Sequence, residues 1–126
     1  LQKNNRSGEP EEVKAISAKK GDKVYIPPGY GTVMINEGKE LLVVSSLVNA
    51  KADFLYEPFV AKKGAAYYYI LGENEKADFV RNNQYAQSAS LELLGAPSIS
   101  LPVEGLRENN LYQFFVENPK LFILLK

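Results

Sequence analysis

The sequence predicts a mainly β chain, an antiparallel sandwich or barrel, and three observations carry that prediction. From Val13 to Val48 short apolar runs alternate with tight turns containing Gly, Pro and Asn, and no helical period interrupts them. The run LLVVSSLV, residues 41–48, is continuously apolar, the pattern of a strand buried on both faces. The stretch GDKVYIPPGYGTVMIN, residues 21–36, places Gly21, Pro27, Gly29 and Asn36 like the joints of a hairpin rich in Val and Ile.

Taken in order, Leu1-Gln2 reads as the end of a strand and residues 3–12 as a polar loop. Glu9, Glu11 and Glu12 are expected on a solvated face of that loop rather than in catalysis. VKAIS, residues 13–17, is a short strand closed by the turn AKKGD. KVYI and GTVMIN are two further short strands around Pro27-Pro28-Gly29-Tyr30-Gly31, where the prolines preset φ and the glycines permit positive φ. INEGKE is a hairpin signal leading into the 41–48 strand. Residues 49–64, with scattered aromatics and a proline, read as an excursion across a sheet. AAYYYIL, residues 65–71, is a strand by β-propensity, with Tyr67 and Tyr69 on one face and Tyr68 on the other. Core and rim packing is the expected role of these tyrosines.

Residues 72–106 read as loop-rich, with PSISLP extended between two prolines. RENNLYQFFVENP predicts a helix near 107–118, because Leu111, Phe114 and Phe115 fall at i, i+3, i+4 spacing and Pro119 stops it. KLFILLK closes the chain as a helical turn or a terminal strand.

Composition narrows the chemistry. The 126 residues are one domain's worth of chain, and fifteen basic residues balance fifteen acidic ones. No global field therefore draws nucleic acid or an anionic membrane. The absence of Cys removes disulfides, thiolate nucleophiles and cysteine zinc sites, and fits a reducing, cytoplasmic setting. The absence of His excludes a Ser-His-Asp triad, a His-metal centre and a His phosphotransfer site within this chain. Carboxylate, Tyr, Lys, Arg and hydroxyl chemistry remains, or binding without chemistry. Lys19-Lys20 and Lys62-Lys63 read as turn lysines rather than phosphate ligands. The chain opens on Leu1 rather than Met, so a fragment, a processed product or an engineered product is expected.

One spacing is specific: Gly21, five residues, Pro27, one residue, Gly29, two residues, Thr32, three residues, Asn36. It resembles the second sequence motif of the cupin superfamily, in which the position of Thr32 is a metal-binding histidine. Within that superfamily, VYIPPGYGTVMINEGKELLVVSSLV is most similar to the cupin-type glucose-6-phosphate isomerases of archaea and bacteria. ADFLY, residues 52–56, resembles their Gly-His-Asp-Tyr segment, with Phe54 in place of His and Tyr56 kept.

The resemblance implies a fold and a reaction. Residues 1–70 would be the second half of an antiparallel cupin barrel or jelly roll, and 71–126 a C-terminal extension with one helix. The reaction would be aldose-ketose isomerisation of glucose 6-phosphate to fructose 6-phosphate through a cis-enediol. Tyr25, Tyr30, Thr32 and Tyr56 would line the sugar cavity, with no catalytic residue assignable. No metal ligand is expected in this chain, because Thr32 is a poor one. A divalent metal is expected only where an upstream first cupin motif supplies two His and a Glu. The expected partners are a sugar phosphate and a second copy or complementing chain that completes the barrel, since LLVVSSLV would otherwise be an open edge. The isolated chain is not expected to isomerise anything. The alternative is a degenerate, non-catalytic cupin that binds a sugar phosphate or another protein.

Overall fold

A computed structural model describes residues 1–72 and 76–123. Strand β1 (Gln2–Asn4) folds back on β2 (Pro10–Ser17) as an antiparallel hairpin. Asn5 closes the loop between them: its Oδ1 accepts from Ser7 N at 3.0 Å, Ser7 Oγ at 2.8 Å and Glu9 N at 3.1 Å. Strand β3 (Tyr30–Gly31) pairs antiparallel with the other edge of β1. It follows a Pro27-Pro28-Gly29-Tyr30 turn, in which Tyr30 N donates to Pro27 O at 3.3 Å and Gly29 sits at φ +83°. That is the geometry in which Pro and Gly are the favoured central pair.

Helix α1 (Glu57–Ala61) precedes β4 (Tyr67–Leu71), which pairs antiparallel with β5 (Ala77–Arg81) in a separate two-stranded sheet. Strand β6 (Leu91–Gly95) returns to lie parallel to β2, giving a four-stranded sheet of order β3-β1-β2-β6. A 3-10 turn at Ala96–Ser98, helix α2 (Leu111–Glu117) and a 3-10 turn at Pro119–Phe122 complete the described chain. The architecture is mainly β with few helices, as the residue pattern predicts.

Several expectations need correction. The polar stretch 3–12 is only half loop: residues 5–9 form the turn, while both its ends are strand, with Lys3 facing Glu12 in the ladder. Of KVYI and GTVMIN, only Gly31 is paired, together with Tyr30 just before it. LLVVSSLV is neither paired nor buried; Leu41 is 88% and Val43 81% exposed. Its apolar content marks a surface that wants a cover, and among the described residues nothing supplies one. The β2–β6 pair is parallel, so the sheet is not purely antiparallel, and the described residues form no closed barrel. Two strands, β5 and β6, lie in the stretch read as loop, and PSISLP begins in a 3-10 turn instead of being extended throughout. The helix expected near 107–118 is present but starts at Leu111, where Asn110 Oδ1 accepts from Tyr112 N and Gln113 N. KLFILLK begins in the 3-10 turn, while residues 124–126 lie outside the described residues.

Two small apolar clusters organise the chain. The first packs Val13, Ala66 and Tyr85, flanked by Tyr67 and Leu91. A buried polar network pins it together. Gln2 Oε1 accepts from Ala66 N at 2.7 Å, and Gln2 Nε2 donates to Tyr85 Oη at 3.2 Å. Tyr85 Oη donates to Gly64 O at 3.0 Å, and Asn82 Nδ2 donates to the carbonyls of Lys62 and Ala65, both at 2.9 Å. Every one of these buried groups is satisfied, which makes the network cohesive rather than costly.

The second cluster, Val103, Leu106 and Phe122 with Leu111, Phe114 and Phe115, holds α2 and the following turn. The rings of Phe114 and Phe115 meet Phe122 edge-on, with centroids 6.1 and 5.2 Å apart. Lys23 Nζ donates to Arg107 O at 3.1 Å and ties the segment before the Pro27 turn to this region.

Candidate functional site

The site is built on the face of the four-stranded sheet opposite Val13. Strand alternation sends Gln2, Val13 and Gly31 to the core side and Lys3, Glu12, Lys14 and Tyr30 to the other. Lys3 stands opposite Glu12 on one side and Tyr30 on the other. The register shift between Lys3 and Asn4 leaves Glu11 without a strand partner, and its carboxylate also reaches Lys3 Nζ, at 2.9 Å.

Glu12 is the hub. Its Oε2 accepts from Tyr30 Oη at 2.5 Å and from Lys14 Nζ at 3.0 Å, while its Oε1 lies 3.6 Å from Lys3 Nζ. Lys14 Nζ also lies 5.6 Å from the centroid of the Tyr30 ring. The Tyr30 hydroxyl, then the Lys14 ammonium, hold the Glu12 carboxyl down to about 2. The same hydrogen bond to a carboxylate holds the Tyr30 phenol above its ordinary value. Lys14 is raised by its bond to Glu12. At neutral pH the cluster is therefore a fixed carboxylate, a neutral phenol and an ammonium. An open groove of ≈ 390 Å³ runs beside it, lined by Glu11, Glu12, Lys14, Ser90 and Glu92 among others.

The four sugar-cavity residues expected from the sequence are placed as follows. Tyr30 is in the cluster. Thr32 directly follows β3, outside the paired strand, and is exposed. Tyr56 is 68% exposed at the N-cap of α1. It is Phe59 of that helix, not Tyr56, that meets β3: a Cβ on Gly31 would stand 2.5 Å from the Phe59 ring. Tyr25 is half-buried in the unpaired segment before Pro27, with no side-chain hydrogen bond among the described contacts. The structure thus places Tyr30 in the cluster and brings α1, through Phe59, against Gly31 on the opposite face; among the described residues no side-chain hydrogen bond joins Thr32, Tyr56 or Tyr25 to Tyr30.

Glu12, Lys14 and Lys3 are the residues that the sequence reading missed. The signal was present: Glu12 and Lys14 alternate with Val13, which extends the strand pattern of VKAIS back to the glutamates. The other expected features resolve as turns or packing. Lys62 Nζ donates to Gln84 O at 3.0 Å and lies 5.3 Å from the Tyr85 ring centroid, so it secures a loop.

The divalent metal that the cupin resemblance implies does not fit the residues present. Thr32 offers one neutral hydroxyl, the chain has no imidazole, and among the described residues no three acidic side chains converge as a metal site.

A family model described as Glucose-6-phosphate isomerase (GPI) matches residues 1–88. That span contains β1 to β5, α1, and Lys3, Glu12, Lys14 and Tyr30. Neither the curated proteins nor the solved structures gave a match to the chain.

Proposed function

The chain belongs to the glucose-6-phosphate isomerase (GPI) family, and from that premise we propose that it is a sugar-phosphate-binding portion of a cupin-type isomerase that does not turn over by itself. The cupin assignment is supported by the spacing from Gly21 to Asn36. The observation that carries the reading is the Tyr30–Glu12–Lys14 cluster on the sheet face opposite Val13.

Interconversion of an aldose and a ketose moves a proton between C1 and C2, and this needs a group that titrates near neutrality. The cluster offers none. Glu12, at about 2, is a weak base, and the Tyr30 phenol, raised above its ordinary value, is a weak acid. Both hold their protonation state while presenting lone pairs and an ammonium to a polyhydroxylated ligand. Binding is therefore what this arrangement does chemically, and the proton-transfer groups come from polypeptide other than this chain.

The exposure of Leu41, Val43 and their neighbours favours a second component of the reading, a complementing chain or second copy that covers 41–48. The alternative, a non-catalytic module, rests on the same exposure and on the absence of His. Calorimetry with fructose 6-phosphate, together with a coupled isomerase assay with and without Mn²⁺, tests the proposal. Binding without turnover is expected of the chain. Turnover by the chain alone overturns the inactive reading, and failure to bind overturns the sugar-phosphate reading.

A further inference from the structure

Tyr30 has one proton to donate, and the structure commits it. A phenol carries one O–H donor and two acceptor lone pairs. The Tyr30 proton points to Glu12 Oε2 at 2.5 Å, a charge-assisted bond, and Lys14 at 3.0 Å fixes the carboxylate that accepts it. What Tyr30 has left for a ligand is an acceptor. The surroundings point the same way. Lys3 on β1, Glu11, Glu12 and Lys14 on β2 and Glu92 opposite Lys14 on β6 set two ammonium groups against three carboxylates. That balance is unfavourable for a phosphate dianion and favourable for groups that donate, such as sugar hydroxyls.

We propose that Glu12 is a positioning residue that turns Tyr30 into a dedicated hydrogen-bond acceptor, so that this face reads a hydroxyl of the sugar chain and not its phosphate. The inference rests on the sugar-phosphate reading above for the ligand, while the orientation of Tyr30 stands on the hydrogen-bond geometry alone. Lys14 contributes by locking the carboxylate, and the Tyr30 ring lies under the Lys14 ammonium at 5.6 Å.

The test compares the full chain with Tyr30→Phe, Glu12→Ala and Glu12→Gln, each checked for folding by circular dichroism. Fructose 6-phosphate and inorganic phosphate are titrated separately by calorimetry. Tyr30→Phe and Glu12→Ala are expected to weaken fructose 6-phosphate about fivefold, the worth of one ordinary hydrogen bond, and to leave inorganic phosphate unchanged. Glu12→Gln keeps an oxygen that accepts from the phenol and is expected to restore most of the affinity.

Ring-labelled tyrosine supplies an independent readout. The Tyr30 signal, identified by its loss in Tyr30→Phe, is expected to ionise at lower pH in Glu12→Ala than in the parent chain. Equal fructose 6-phosphate affinity in Glu12→Ala and parent, or parallel loss of inorganic phosphate in Tyr30→Phe, overturns the inference. If the parent chain binds no fructose 6-phosphate, the sugar-phosphate reading fails. An unshifted Tyr30 ionisation in Glu12→Ala then overturns the positioning role on its own.

Discussion

The Tyr30 phenol reaches over Lys3 on the intervening strand to donate to Glu12, joining the two outer strands of a three-strand group through one carboxylate. This bond makes stability depend on acid in a defined direction. Glu12 is held at about 2 in the folded chain against an ordinary 4.5. A carboxyl depressed on folding stabilises above its unfolded value, and the contribution is lost as pH falls through the folded value. The melting-temperature gap between the parent chain and Glu12→Gln is therefore expected to stay level above about pH 5.5 and to narrow towards about pH 2. A gap that widens with acid would contradict the assignment.

Gly31 is the contact point between β3 and α1. A methyl group there would meet the Phe59 ring at 2.5 and 2.6 Å. Gly31→Ala is expected to cost about 1–2 kcal/mol in urea unfolding, since the half-buried ring can swing only partly aside. Combining it with Phe59→Ala should give a strongly non-additive result, and simple additivity would show that the two do not touch in solution.

Gln2 is buried and serves both Ala66 N and Tyr85 Oη. Gln2→Ala strands the Ala66 amide in the core and is expected to destabilise by about 2 kcal/mol. Chemical denaturation measures the loss, and hydrogen exchange at Ala66 should accelerate in step.

The cap of α2 is a third site of defined cost. Asn110→Ala removes the acceptor for Tyr112 N and Gln113 N, with an expected loss of about 1 kcal/mol and reduced helical ellipticity. Asn110→Asp keeps an acceptor and should retain most of the stability.

The apolar run 41–48 should make the isolated chain self-associate. Val43, 81% exposed, has no packing to lose among the described residues. Val43→Lys is expected to lower the mass seen by light scattering at a given concentration while leaving the melting temperature near that of the parent. A monomeric parent chain would sink this expectation.

Local chemistry was readable where it is decided locally. The Pro27-Pro28-Gly29 turn, the strand at Tyr67–Leu71 and the helix ended by Pro119 all follow from turn preference, β-propensity and 3.6-residue spacing. The misses share a physical reason: pairing partners are long-range. Val13 to Ser17 finds its parallel neighbour at Leu91–Gly95, some eighty residues away, and no local pattern announces it. LLVVSSLV has the composition of a buried strand, but burial is a property of what surrounds a segment, and the described chain leaves it uncovered. In the cluster, Tyr30 was singled out by its motif position, as an expected sugar-cavity residue. Glu12 was not, because a run of glutamates reads as solvated until a register sets one of them against a tyrosine.

Saturation-transfer NMR of fructose 6-phosphate with the full chain in D₂O tests the central claim most directly, since one sample reports both contact and proton exchange. The account predicts transfer to the sugar protons, weakened in Tyr30→Phe, with no solvent deuterium entering C1 and no glucose 6-phosphate formed. Absence of transfer from the parent chain, or deuterium incorporation by the chain alone, would contradict it.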